Sequence, residues 1–160
     1  MKQGLFITVM VAAALGTMPC AAGAQPPAGA QTFELSLSPR VITFSSSDPD
    51  AVPSIDAAPV TVSYRIRQGV NSPWSLTVLA GGDLISGPSK VDISNVTWIA
   101  TPAPPFQNGT LSKTVAQRIA SGVGNVTALA NGSVTFRLTN LWTYSTGTYT
   151  QTVLFTLSSP

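Results

Sequence analysis

From Phe33 onward the chain alternates apolar and polar residues with a period of two. Phe33, Leu35 and Leu37 are interleaved with Glu34, Ser36 and Ser38, and Val60, Val62, Tyr64 and Ile66 with Thr61, Ser63, Arg65 and Arg67. Successive side chains of a strand face opposite sides, so this pattern predicts half-buried strands rather than helices. The alternation recurs at Trp74, Leu76 and Val78, at Val96 and Trp98, at Val134, Phe136 and Leu138, and at Val153, Phe155 and Leu157. Turn-forming stretches separate the runs: Ser45 to Pro53, Gly69 to Pro73, Gly81-Gly82-Asp83, Ser86-Gly87-Pro88, Pro102 to Gly109, Asn131-Gly132 and Ser145 to Gly147. The spacing predicts one all-β domain over residues 33–160, an Ig-like or Greek-key β-sandwich of about seven to nine short strands. Its core should unite Phe33, Leu35, Val62, Tyr64, Trp74, Leu76, Val78, Trp98, Phe136, Leu138, Val153, Phe155 and Leu157.

Local signals refine that frame. Pro39 lies between Leu37 and Val41, where a missing N–H would break a central ladder, so the first strand is expected to bend at Ser38-Pro39 and switch sheets. Leu111, Val115 and Ile119 lie four apart, but Thr114 and Val115 are β-branched and no cap supports a helix, so the segment reads as a loop or short strand. Near the C-terminus Gly147 can take the positive φ of a tight corner, and Tyr149 can fold back to hydrogen-bond the backbone upstream, as in a tyrosine corner. A long closing strand then follows Tyr149, its partner expected near the N-terminus.

The first 24 residues follow other rules. Lys2 supplies a positive start, Leu5 to Leu15 an apolar run, and Ala22-Gly23-Ala24 a small-residue cleavage site, the three parts of a secretory leader. The run is shorter than the ~20 residues that cross a bilayer and no later stretch is apolar enough, so no transmembrane segment is expected. Thr17-Met18-Pro19, before the lone thiol of Cys20, does not match lipoprotein signals, and no lipid anchor is expected. The mature chain is expected to begin at Gln25, with residues 25–32 as a flexible Pro-rich lead-in, and to reside at the cell surface, in the periplasm or outside the cell.

Composition narrows the chemistry. Behind the leader there is no His and no Cys, and Glu34 is the single glutamate. General acid–base and nucleophilic catalysis need such groups with activating neighbours, so no enzyme, no catalytic residue and no cofactor is expected. Asp48-Pro49-Asp50, with Asp56 nearby, could offer oxygens to a hard cation, but the glycine and closing glutamate of a calcium loop are missing, and no metal is expected. Without Lys2, seven basic residues face six acidic ones, a net charge of +1 that gives no case for nucleic acid. So few charges leave a surface of Ser, Thr, Asn and Gln, open to self-association. Trp74 and Trp98 occupy inward positions, whereas Trp142, beside the corner, is the better candidate for stacking on a sugar ring.

Trp74-Ser75-Leu76 resembles the proximal Trp-x-Leu motif of the WxL domains of bacterial cell surfaces. Gly147 to Pro160 is similar to that family's closing strand, with Phe155-Thr156-Leu157 where the distal Trp-x-Leu would stand. The resemblance implies a secreted β-sandwich-like module attached non-covalently to peptidoglycan. The first expectation is therefore a secreted, non-catalytic binding or structural module whose partner is cell-wall polysaccharide or another envelope protein, with Trp142, Trp74 and Leu76 as candidate binding residues. The alternative is a pilin-like or adhesin-type subunit assembling by strand addition, with Phe33 to Leu37 as donor. A chain holding its own first strand against Tyr149 to Leu157 would favour the module; an open groove there would favour assembly.

Overall fold

The computed structural model describes residues 6–15, 31–45, 47–145 and 147–159. In chain order the strands are β1 (Phe6–Leu15), β2 (Thr32–Ser38), β3 (Val41–Phe44), β4 (Ser54–Asp56), β5 (Val60–Arg67), β6 (Pro73–Ala80), β7 (Leu84–Ser86), β8 (Ser89–Val91), β9 (Val96–Thr101), β10 (Gly109–Thr110), β11 (Gln117–Val123), β12 (Val126–Thr139) and β13 (Thr148–Ser158). One 3₁₀ turn, Ile93–Asn95, is capped by Asp92, whose side chain accepts from the Ser94 N–H. The strands exceed the seven to nine expected because β4, β7, β8 and β10 are fragments of two or three residues.

They form two sheets of a sandwich. The first runs β11-β6-β13-β1-β3, with β7 and β8 beside β13; the second runs β10-β9-β12-β5-β2, with β4 beside β12. The first strand does switch sheets at Ser38-Pro39: β2 pairs with β5 from Thr32↔Arg67 to Ser38↔Thr61, while β3 belongs to the other sheet. Between the sheets lies one core built from the expected alternation. Phe33 and Leu35 are only half-buried against it, because β2 is an edge strand with a single neighbour. The Leu111 to Ile119 segment is loop, then strand, with Leu111 and Ile119 buried and Val115 exposed.

Asn131-Gly132 corrects the reading. Instead of a turn, it lies inside the 14-residue β12, opposite Ser63 and Val62. The Phe106 ring occupies the space that a Gly132 side chain would fill, and the Ser63 hydroxyl donates to Asn131 Oδ1 at 2.6 Å. The same device recurs where Trp98 packs over Gly109 and Trp74 over Gly122. A glycine in a strand marks close approach of a ring, which a local turn rule cannot distinguish from a hairpin.

The corner forms around Tyr149, which is buried and donates from its hydroxyl to the Ser145 carbonyl at 3.1 Å. Gly147 does not take the positive φ expected of it, which among the described glycines only Gly87 and Gly124 adopt; a side chain is excluded there by crowding instead, because a Cβ would collide with the Ser86 hydroxyl.

Candidate functional site

The closing strand β13 has buried Tyr149, Val153, Phe155 and Leu157 on its inner face. On one side it is zipped antiparallel to β6, from Val153↔Ala80 to Ser158↔Ser75. On the other it pairs with β1, which is the apolar run near the N-terminus, through ten residues from Phe6↔Thr148 to Leu15↔Leu157. This is the single parallel pairing among the described strands; the others are antiparallel.

Beyond β1 lies β3, with Ile42 and Phe44 in the core and Val41 turned outward. It pairs antiparallel with β1 over its whole length, from Met10↔Val41 to Ile7↔Phe44, and with no other described strand. Neighbouring strands sit about 4.8 Å apart, so β3 and β13 are the walls of a slot about 10 Å wide with one strand in it. Val41 to Phe44 and Thr148 to Ser158 contain no charged residue, and neither does Phe6 to Leu15. Backbone hydrogen bonds and apolar contact are therefore what the slot offers, and an extended apolar segment is what it takes. The expected cleavage site Ala22-Gly23-Ala24, Cys20 and residues 25–30 of the expected lead-in lie outside the described residues.

The sequence-predicted binding residues fall elsewhere. Trp74 is buried, its ring 5.3 Å from that of Tyr64 and against Gly122, and Leu76 is buried in the same strand. Neither presents a surface to a ligand. Trp142 is 67% exposed, and its indole N–H donates to Asp50 Oδ1 at 3.0 Å, which ties the ring to the Asp48–Asp50 turn. Asp48 folds the turn by accepting from the Asp50 N–H, whereas Asp56 is forked by Arg137 at 2.6 and 2.9 Å, which holds its carboxyl below the usual range. No group of three metal-ligating side chains occurs among the described residues. Phe33 to Leu37, the expected donor, is paired within its own chain in β2.

One cluster escaped sequence reading. Asp83, 6% exposed, accepts from Lys113 Nζ at 2.7 and 2.8 Å and from the Ile93 N–H at 3.0 Å, and pairs with Lys90 at 2.8 Å. The two ammonium groups hold its carboxyl far below the usual range, with the backbone donor adding to their effect. Its partners come from three separate segments, so no local motif announces it. Lys90, Lys113 and the Ile93 N–H converge on Asp83, with Lys113 also 3.5 Å from Asp92, which makes the cluster a clamp on the β6–β7 turn. The open cleft of about 350 Å³ beside it is lined by Asp92, Ser94, Ser112 and Lys113 among others.

No protein-family model matches this chain, and a search of the curated proteins finds no similar one. Among the described residues no helix is long and apolar enough to cross a membrane.

Proposed function

We propose that the chain is an exported, non-catalytic subunit of the cell envelope that assembles by strand addition. In this reading the leader is removed after Ala24, the slot between β3 and β13 opens, and an extended strand of a partner subunit fills it. The observation that carries the reading is that β3 has the leader strand as its only described sheet neighbour. Once Phe6 to Leu15 is gone, ten residues of β13 lose one row of pairing and the core around Phe44 and Phe155 faces an open edge. Such an edge is a template for another strand.

Burial of Trp74 and Leu76 speaks against a WxL-like attachment through those residues. The place beside β13 is held by the chain's own β1, which by itself favours a closed module, so strand addition requires that strand to leave first. Contact with envelope polysaccharide keeps one specific support, the exposed and hydrogen-bonded Trp142. The mature protein, purified from an exporting host, should run in light-scattering chromatography as concentration-dependent oligomers or with a captured partner strand. A stable monomer whose β3 and β13 amides resist hydrogen exchange would refute the proposal. Retention on purified peptidoglycan that Trp142→Ala abolishes would establish the polysaccharide contact.

A further inference from the structure

We propose that the apolar run Phe6–Leu15 has a second role beyond export: in the unprocessed chain it occupies, in cis, the slot that a partner strand fills after processing. The inference rests on the strand-addition reading and adds a control to it. Leader removal opens the assembly site, and an unprocessed chain stays closed.

The fit is specific in length and in sequence. The run covers Thr148 to Leu157, all but the last residue of β13, and all of β3. Export asks only for apolarity, which a leucine-rich or alanine-rich helix former would satisfy. Here the four residues that pair on both sides are Ile7, Thr8, Val9 and Met10, three of them β-branched, and the alanines Ala12 to Ala14 fall where only β13 is a neighbour. β-branched residues favour strands, so the part of the leader that needs two neighbours is the part built for a sheet.

The tether explains how cleavage acts. Residues 16–31 join Leu15 to β2 and can reach about 50 Å when extended, well beyond the ~10 Å that separates two packed sheets. A strand held on such a tether has an effective concentration on the order of millimolar at its slot. Hydrolysis after Ala24 cuts the tether, and the same ten residues become a dilute free peptide. A partner strand carried by a neighbouring subunit then replaces it.

The test uses the 160-residue chain made by membrane-free synthesis beside a chain starting at Gln25. The full chain should be monomeric, with protected amides at Val41 to Phe44 and Thr148 to Leu157, and should need a roughly hundredfold higher concentration to associate. The shorter chain should associate, and a synthetic Phe6–Leu15 peptide flanked by lysines should suppress this where a scrambled peptide does not. Neighbouring residues on a strand face opposite sides, so Val11→Asp and Ala12→Asp in the full chain should differ, one opening the slot and the other leaving it closed. If both chains associate alike, or the two aspartate variants behave identically, the leader is no cis occupant and strand addition still stands. A monomeric, fully protected Gln25 chain would overturn both.

Discussion

The two sheets close in different ways. In the second sheet β12 lies between β9 and β5 along a register of antiparallel pairs, and every strand comes from residues 32–139. In the first sheet the step from β13 to β3 is made by the N-terminal strand β1. Where the chain closes without β1, large rings are seated over glycines, as with Trp98 on Gly109 and Phe106 on Gly132. Where it does not, the walls are uncharged strands without a ring-and-glycine lock. The difference teaches that one sheet is closed by residues 32–139 alone, whereas the other is completed only by the N-terminal strand β1.

Removing a ring from the second sheet should have the largest effect. Trp98→Ala deletes a fully buried indole and its N–H bond to the Gln107 carbonyl at 2.9 Å, and should cost about 3–5 kcal/mol with or without the leader. Ile42→Ala at the slot wall breaks the symmetry. It should cost about 2–5 kcal/mol in the leader-bearing chain and less than about 1 kcal/mol in the chain starting at Gln25, where β3 has lost its neighbour. Urea midpoints of the four proteins give the comparison directly; an equal cost of Ile42→Ala in both backgrounds would contradict it.

Gly132→Ala probes the ring-and-glycine lock itself. Its methyl group would have to displace Phe106, an overpacking cost of about 1–3 kcal/mol, visible as a lowered melting temperature in both backgrounds.

Asp83 tests the end of the first sheet that does not depend on the leader. Its carboxyl is held below its ordinary value in the folded state, so the unfolded chain takes up the proton first. The stabilisation is complete above pH ~4 and is lost as pH falls below that value toward the folded pKa. Asp83→Asn should remove about 1–3 kcal/mol at neutral pH and flatten the acid side of the stability profile, read by denaturation between neutral and acid pH. The smallest effect belongs to the corner. Tyr149→Phe keeps the ring and loses the bond to Ser145, for about 1 kcal/mol in the denaturation midpoint.

Much of this fold is legible in the chain because its strands alternate cleanly. Val62, Tyr64, Trp74, Phe136, Val153 and Phe155 could be placed in the core from a period of two, and the bend at Pro39 from one missing donor. What escaped depends on partners distant in sequence. Asn131-Gly132 carries a local turn signal that the Phe106 ring, 26 residues upstream of Gly132, overrides. The Asp83 clamp draws on Lys90 and Lys113, and nothing near Asp83 encodes either. The candidate site was half visible. A partner for β13 near the N-terminus follows from its length and position, but a leader is read for apolarity, and apolarity alone does not separate a strand from an export signal.

The parallel union of β1 with β13 also sets a clock. The two strands are the first and last of the described chain, so their pairing has to wait until everything between them has been synthesised. At roughly 5–20 residues per second, the leader of a nascent chain stays unengaged for on the order of ten seconds, and contacts of such wide separation are then slow to form. Under the export proposed above, β1 is open to the export machinery throughout that interval. On that proposal only chains that escape export close on themselves, which would tie the closed form to the age of the molecule rather than to its abundance.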